Sequence, residues 1–371
     1  MTITTAYSTH SDPQTAALEV ADALARHQPG AVLYFASSQY DAAAIAAAME
    51  RAFPGAAVIG CTTAGEIVSG RMLKSSLVAM ALPTDIVPEI HVQVARGIGT
   101  GVDGVDAAFK GFQAATGRSA LDLDPREWVG LILIDGLSRA EERVMERVGA
   151  LTDVMFIGGS AGDDLKFERT RVFAHGAAHG NAAVLALLRV PHGFDFIKTQ
   201  SFCAMSKTLV PTRVDEANRT VLEFDGKPAA EAYAEALGLP VSEAAAHFMD
   251  HPVGLMDGRE PYVRSPQQIA GNAMAFYCAV KAGMPLALLD STDIVADTAR
   301  ALAEAKLAAG KVAGVINFNC ILRTLELDAK GKSGEYGALF ADVPTVGFST
   351  YGEAMIGHIN QTSTMLVFKG Y

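Results

Sequence analysis

Two short segments with the same pattern of polar residues carry most of the chemistry that this sequence could perform. Residues 58–67 (VIGCTTAGEI) and 345–354 (TVGFSTYGEA) share Gly, any residue, Ser or Thr, Thr, any residue, Gly and Glu. We call residues 60–66 the first polar loop and residues 347–353 the last polar loop. Their hydroxyls, backbone N–H groups and carboxylate can bind a ligand that has both donors and acceptors. The same groups could instead satisfy the backbone of a tight turn, and both roles are left open.

Cys61 lies in the first polar loop directly after a predicted strand, where a nucleophile elbow places its nucleophile. The last polar loop has Phe348 at the corresponding position, and a related segment in the middle of the chain has Gly159. No histidine is close in sequence to act as the base. A thiol-dependent enzyme that uses Cys61 is therefore kept only as a second alternative function, and a non-catalytic protein is favoured.

Histidines and arginines in two other segments have the composition that a haem site needs, namely an axial ligand, apolar neighbours and cations for the propionates. Residues 247–265 provide His247 and His251 together with Arg259 and Arg264, and residues 357–362 (GHINQT) provide His358. The sequence lacks Cys-x-x-Cys-His, so the cofactor would be haem b, held non-covalently.

Two further patterns match ligand motifs but lack their usual context. His175 and His179 have the spacing of a helical metal site, but glycines flank them and no acidic ligand stands next to them. Residues 99–104 (GTGVDG) satisfy Gly-x-Gly-x-x-Gly, but Asp135 comes later than the usual ribose-binding acid. We expect no metal ion apart from haem iron, and no dinucleotide site.

The elements that position these residues form a repeat of helix, strand, helix, strand, glycine-containing loop and strand. In the first repeat, Asp41 matches the pattern of a helix N-cap. In the second repeat, Ser138 and Glu141 match a capping box. The predicted helices and strands of the three repeats cover residues 13–83, 105–190 and 293–371. Strand pairs and one helix are predicted for 190–290. The predicted fold is α/β, with two related halves of mixed sheets flanked by helices, in domains 1–192 and 193–371.

The composition is that of a globular protein, with 50% apolar and 19% charged residues. The net charge of −11 disfavours nucleic acid or an anionic membrane as the main partner. No apolar run is long enough to span a bilayer, and the polar N-terminus does not match a secretory signal. The four cysteines are widely spaced without a Cys-x-x-Cys pair, which argues against a disulfide framework. We expect a cytosolic protein.

Over residues 20–370 the ordered motifs resemble the FIST family, whose members have consecutive FIST N and FIST C domains. The motifs are the two polar loops, GGSAGDD, HPVGLMDGREPYVRS, VINFNCILR and GHINQT. The resemblance implies an intracellular sensor of small ligands, such as amino acids. FNCILR, GFSTYGE and HINQT are most similar to the nitric-oxide-sensing, haem-binding NosP-type subset, which acts on a separate histidine kinase or cyclic-di-GMP enzyme.

The resemblance also implies which residues bind ligands. The haem candidates are the three histidines and two arginines named above. The candidates for a small polar ligand lie in the polar loops and in VINFNCILR: Cys61, Thr62, Thr63, Gly65, Glu66, Asn317, Asn319, Arg323, Ser349, Thr350, Tyr351 and Glu353. The expected partner is a histidine kinase or a diguanylate cyclase or phosphodiesterase in trans, and homo-oligomerisation is left open. The alternative is a FIST sensor of a polar metabolite without haem.

Overall fold

The computed structural model describes residues 2–24 and 29–370. The chain forms two compact units, each discontinuous in sequence. Unit 1 comprises Met1–Lys198, Ala299–His358 and Ser363–Tyr371, and unit 2 comprises Thr199–Thr298 and Ile359–Thr362. The contiguous domains 1–192 and 193–371 are defined on sequence, and that division stays a prediction.

The helices form where the sequence has an apolar stripe and an end signal. In α2, Asp41 accepts a hydrogen bond from the Ala44 N–H, while Ile45 and Met49 are buried. The predicted end of the first helix includes residues 25–28, which lie outside the described residues. The α-helices are α1 (Pro13–Leu24), α2 (Ala42–Ala52), α3 (Asp103–Thr116), α4 (Glu141–Gly149), α5 (Ala229–Leu237), α6 (Val241–Ala244), α7 (Ile294–Ala309), α8 (Ile321–Ala329) and α9 (Ser333–Ala338). No helix in the described part of the chain is long and apolar enough to cross a membrane.

The predicted capping box at Ser138 and Glu141 is wrong. Helix α4 has Ala140 as its N-cap and no side-chain cap bond. The Glu141 side chain is buried and accepts a hydrogen bond from the Ser160 hydroxyl instead.

Three six-stranded sheets share one design, and apart from end residues of β13, β26 and β27 their strands belong to unit 1. The first sheet has the order β1 (Thr4–Ser8), β6 (Leu77–Leu82), β2 (Ala31–Ser37), β3 (Ala57–Thr63), β10 (Val172–Ala174), β11 (Ala177–His179). The second has β7 (Glu89–Arg96), β12 (Ala182–Arg189), β8 (Trp128–Ile134), β9 (Phe156–Ser160), β25 (Glu353–Met355), β26 (Gly357–Ile359). The third has β13 (Phe194–Gln200), β27 (Thr362–Lys369), β23 (Val312–Cys320), β24 (Thr345–Thr350), β4 (Glu66–Val68), β5 (Arg71–Leu73). The sheets are mixed, because the third and fourth strands of each are parallel.

The repeats exchange hairpins in a cycle. The hairpin β4–β5 of the first repeat completes the third sheet, β10–β11 of the second repeat completes the first sheet, and β25–β26 of the third repeat completes the second sheet. The predicted α/β class with mixed sheets, flanking helices and repeated units is confirmed.

The inner faces of the three sheets share one apolar core. Phe35 of the first sheet packs against Phe318 and Phe348 of the third, with ring centroids 6.4 and 4.5 Å away. Helices cover the outer faces of the first and second sheets, each with its own apolar cluster. Because these faces are buried on both sides, their strands read as continuous apolar runs in the sequence.

Unit 2 contains two antiparallel sheets together with α5 and α6. One sheet has the order β14 (Phe202–Leu209), β22 (Leu286–Ser291), β18 (Val253–Asp257), β19 (Glu260–Arg264). The other has β15 (Pro211–Asp215), β16 (Thr220–Phe224), β21 (Ala273–Phe276), β20 (Pro266–Ala270), with β17 (Lys227–Pro228) also paired to β16. Tyr233 of α5 packs in the unit's apolar core with Phe224 and Met274.

Candidate functional site

The first and last polar loops contact each other inside unit 1. The Ser349 N–H donates to the Gly65 carbonyl over 2.8 Å, and the Ala64 N–H donates to the Ser349 carbonyl over 3.2 Å. The structure therefore brings the two loops together. They meet within one compact unit rather than at a boundary between the two units.

The contact between the loops is one of three equivalent contacts. The Ser160 N–H donates to the Gly352 carbonyl over 2.8 Å, and the Thr62 N–H donates to the Arg171 carbonyl over 2.9 Å. Thr62, Ser160 and Ser349 occupy equivalent positions on β3, β9 and β24. Each loop thus carries the chain from its own sheet to the sheet that its hairpin completes.

The two loop glutamates are fully buried and bind the hydroxyl three residues before them. Glu66 accepts hydrogen bonds from the Thr63 hydroxyl, the Ser76 N–H (3.0 Å) and the Ser76 hydroxyl (2.6 Å). The Thr350 hydroxyl lies 2.5 Å from Glu353 Oε1. Burial raises the pKa of Glu66 to about 7, although these hydrogen bonds act in the opposite direction.

Asp135 provides the carboxylate of the second repeat, which sequence reasoning missed. It accepts hydrogen bonds from the Thr170 hydroxyl and, over 2.5 Å, from the Asn181 N–H. Asn181 precedes β12 as Ser76 precedes β6, so the carboxylate has the same kind of partners as Glu66. The available signal was an aspartate at the carboxyl end of a buried strand.

Tyr351 connects the last polar loop to residues 163–169. Its hydroxyl donates to Asp163 Oδ1 over 2.5 Å and accepts from the Leu165 N–H over 2.8 Å, while Phe167 stacks on its ring. Burial alone would raise the pKa of Asp163, but the bond from Tyr351 and three backbone N–H bonds hold it below its ordinary value.

Asn317, Asn319, Arg323 and Ser349 lie in one buried hydrogen-bond network, which we call the polar layer. Arg323 Nε donates to Asn319 Oδ1 over 3.0 Å. Thr324 connects Asn319 (3.1 Å) to Ser349 (2.8 Å). The Tyr336 hydroxyl lies 3.1 Å from Asn319 Oδ1 and 3.2 Å from Asn317 Nδ2. The arginine is only 1% exposed.

The polar layer departs from the design of the other two sheets. Asn317 and Asn319 pair with the third and fifth residues of β24. At the same register the first sheet has Tyr34 and Ala36, and the second has Ile132 and Ile134. Polar groups at positions that are apolar or aromatic in the related sheets indicate a role beyond packing. Binding of a ligand by these residues stays a prediction.

Cys61 lies in the central core rather than at an accessible elbow. The side chain is fully buried, and burial raises the pKa of its thiol well above the usual range. Since the thiolate is the nucleophile, this environment disfavours thiol catalysis at Cys61.

The haem candidates are dispersed. His247 and His251 stack in unit 2 with centroids 5.8 Å apart. Arg259 follows β18 in the turn before β19, whereas Arg264 ends β19, so about 13 Å of strand lies between them. His358 belongs to unit 1, is 6% exposed and packs on Gly352.

His251 has a feature that suits an axial ligand. Its Nδ1 lies 3.2 Å from the Leu289 carbonyl oxygen and 3.3 Å from Asp290 Oδ1. A proton on Nδ1 then donates to the carbonyl, which leaves Nε2 as the basic nitrogen, as in many metal-binding histidines. This orientation is a property of His251 alone, and haem binding by His251, Arg259 or Arg264 stays a prediction.

His175 and His179 do not share a helix. His175 lies in the turn between β10 and β11, and His179 ends β11. His179 Nδ1 accepts from Arg96 over 3.1 Å, and Nε2 lies 3.3 Å from the Ala174 carbonyl oxygen. Burial lowers the pKa of His179. Among the described residues there is no cluster of three or more metal-ligating side chains.

Two of the sequence motifs, HPVGLMDGREPYVRS and GHINQT, meet in unit 2 at what we call the Gln361 junction (Met249, Arg264, Ser265, Asn360, Gln361). The Ser265 hydroxyl donates to Gln361 Oε1 over 2.7 Å, and Gln361 Nε2 donates to the Met249 carbonyl over 2.9 Å. Gln361 has a φ of 50°, a conformation in the left-handed region that is uncommon for residues other than glycine.

Two polar atoms of this junction are buried without a hydrogen-bond partner among the described residues. They are Arg264 Nε and Asn360 Oδ1, and Asn360 is 1% exposed. The one hydrogen bond of the Arg264 guanidinium within the described residues joins Nη1 to the Val263 carbonyl at 3.1 Å. An unsatisfied donor and an unsatisfied acceptor thus flank the Ser265–Gln361 hydrogen bond.

Comparison with known proteins gives two family matches and one curated relative. Residues 30–227 match the FIST N domain, and residues 229–355 match the FIST C domain. The relative is the uncharacterized protein MJ1623 of Methanocaldococcus jannaschii, 26% identical over 190 residues. The matched segment makes up 47% of this chain and 36% of the relative, so it spans about a third of the relative's length. FIST domains are sensory domains that bind small ligands, and this chain, which has both of them, belongs to the FIST family.

Proposed function

We propose that this protein is a sensor whose small polar ligand binds at the Gln361 junction. The observation that carries the proposal is the pair of unsatisfied buried atoms, Arg264 Nε and Asn360 Oδ1. Leaving such a group unsatisfied costs on the order of 1–3 kcal/mol, so a ligand that pairs with both would recover that free energy on binding. Native proteins leave few buried polar groups unsatisfied, so these two atoms are candidates for contact with a ligand.

The two atoms define the chemistry of the ligand. Arg264 lacks an acidic partner among the described residues, so it can pair with a carboxylate. Asn360 Oδ1 accepts a hydrogen bond and can pair with an ammonium or amide N–H group. A free amino acid has both groups, which supports the metabolite-sensing alternative. The polar layer in unit 1, in which Arg323 is the charged member, is a second place where such a ligand could be recognised.

The test is a screen of the twenty common amino acids by thermal shift, followed by calorimetric titration of any hit. Arg264→Gln and Asn360→Ala should each weaken binding at least about tenfold, which corresponds to 1.4 kcal/mol. Arg259→Gln is the matched control, because this arginine is on the same hairpin but exposed. Equal binding by wild type and Arg264→Gln would overturn the assignment.

Haem b with nitric-oxide sensing is the second candidate, favoured by the Leu289 carbonyl that orients His251. A bound haem would supply the iron centre at which nitric oxide binds. His251 would hold the iron through Nε2, and Arg264 would pair with a propionate. Titration with haem should give a sharp Soret band that shifts with nitric oxide. His251→Ala should lose this spectrum while His247→Ala and His358→Ala retain it. Loss only in His358→Ala would reassign the ligand.

We propose further that the signal passes to a separate histidine kinase, diguanylate cyclase or phosphodiesterase. The support is the match to two sensory domains over residues 30–227 and 229–355. Autophosphorylation of a candidate kinase, or turnover of a candidate cyclic-di-GMP enzyme, should change on addition of this protein. The change should depend on the ligand or on haem and nitric oxide. If Arg264→Gln still changes the activity of the partner enzyme, the effect on the partner does not require ligand binding at Arg264.

A further inference from the structure

A pocket of about 200 Å³ opens beside Glu50 in unit 1. Glu50 lies in the last turn of α2, and its side chain packs against the turn between β10 and β11. A Cβ added to Gly176 in that turn would lie 3.2 Å from both Cβ and Cγ of Glu50. The carboxylate is thus held between a helix and a tight hairpin.

Glu50 lines this pocket, and one of its two carboxylate oxygens is unsatisfied within the described residues. Glu50 Oε2 is buried and has no hydrogen-bond partner among the described residues. Within the same described ranges, 2–24 and 29–370, no lysine, arginine or histidine side chain forms an ion pair with it. A half-buried carboxylate in this situation favours a cationic partner that can donate a hydrogen bond.

Apart from Glu50 and His175, the residues that line the pocket are aliphatic. Val58 of β3 contributes one side, Ile90 and Val92 of β7 contribute another, and His175 stands at an exposed position of the lining. Ile90 and Val92 are partly buried and pack against the central core. Such walls suit an aliphatic chain rather than the hydration shell of a metal ion.

We infer that this pocket binds a small aliphatic ammonium ion, with the ammonium group on Glu50 and the hydrocarbon chain along Val58, Ile90 and Val92. The size fits, because a water molecule takes about 30 Å³ of liquid, so the pocket has space for roughly six or seven non-hydrogen atoms. A five-carbon primary amine has that size. The site is separate from the Gln361 junction, because its residues belong to the other compact unit.

The test compares three ligands of similar length by calorimetric titration, namely n-pentylamine, 1-pentanol and hexanoate. We expect n-pentylamine to bind and the alcohol and the acid to bind at least about tenfold more weakly. Glu50→Gln should remove the preference for the amine. Glu146→Gln is the matched control, because Glu146 is an exposed glutamate on a helix of the same unit.

Three results would overturn the inference: no binding of n-pentylamine, equal binding of 1-pentanol, or unchanged affinity in Glu50→Gln. Circular dichroism checks that this variant folds. If Glu50→Gln does not fold, Ile90→Trp is the second test, because its indole side chain would occupy the pocket. Amine binding should then be lost, and binding that survives Ile90→Trp contradicts the site.

Discussion

The hydroxyl oxygen of Thr350 lies 2.5 Å from Glu353 Oε1, across the glycine of the last polar loop. Thr63 and Glu66 form the same hydrogen bond in the first polar loop. Each glutamate begins the hairpin strand that crosses to a neighbouring sheet. The bond therefore fixes the loop at the point where the chain leaves one sheet for another, which explains why one chain contains the pattern twice.

The pH dependence of folding should report on Glu66. Burial raises its pKa to about 7 from an ordinary value of 4.5. Since the folded state then holds the proton more tightly than the unfolded chain, stability from this group is fully present below pH 4.5. It is lost as the pH rises through about 7.

Glu66→Gln removes this titration. As the pH rises from about 4.5 to 8, the free energy of unfolding of the variant should increase relative to that of wild type. The increase should be at most roughly 3 kcal/mol. Urea unfolding at several pH values measures the difference, and Glu146→Gln provides the control for an exposed glutamate. A difference between Glu66→Gln and wild type that does not change with pH would contradict the raised pKa.

Three equivalent glycines allow the parallel strands to pair at the end where the polar loops begin. A Cβ on Gly60, Gly158 or Gly347 would collide with the backbone carbonyl of the residue paired to it on the adjacent strand. Each alanine substitution at these positions should destabilise the protein by more than about 3 kcal/mol, because backbone must move.

Gly149 is the matched control for these substitutions. It ends α4, and no atom lies within 4 Å of the position of an added Cβ. Gly149→Ala should be neutral or stabilising by up to about 1 kcal/mol, because alanine is the better helix former. Chemical denaturation of the four variants gives the comparison. A mild effect at Gly158, similar to that at Gly149, would show that the strands can separate without cost.

Periodicity and buried runs predicted most of the elements. Strands such as β2 and β8 are continuous apolar segments, and their positions agree with the sequence. The exchange of hairpins could not be predicted, because β4, β10 and β25 have three residues each and give no periodic signal. Their partners are chosen by contacts between distant segments, such as the register of Glu66 with Phe348.

Only part of the candidate site could be predicted, because only part of it is encoded by a local sequence pattern. The repeated pattern around Thr63 and Thr350 is local, so the sequence displays it. Asp135 was missed because its carboxylate comes from a different strand position than the two glutamates. Asn360 was missed because its lack of a partner depends on burial, which no local pattern encodes.

The polar layer should contribute to stability through Tyr336. Its hydroxyl joins Asn317 to Asn319, and the residue is fully buried. Tyr336→Phe leaves the two amides with fewer partners and should lower the free energy of unfolding by about 1–3 kcal/mol. Tyr7→Phe is the control, because that hydroxyl accepts from Arg71 at the surface, and it should cost less than about 0.5 kcal/mol. Equal costs in urea unfolding would mean that the layer is relaxed or solvated in solution.

The last prediction concerns thiol reactivity, which separates the sensor from a thiol-dependent enzyme. Cys203 is exposed, whereas Cys61, Cys278 and Cys320 are buried. Because the thiolate is the reactive form and burial raises the pKa of Cys61, a thiol reagent such as dithionitrobenzoate should titrate one thiol in the native protein. In denaturant it should titrate all four. Cys203→Ser should abolish the native reaction, while Cys61→Ser should leave it unchanged. Rapid labelling of Cys61 in the folded protein, identified by peptide mass spectrometry, would mean that the thiol is accessible and ionised. The thiol-dependent alternative would then take precedence over a non-catalytic role for the first polar loop.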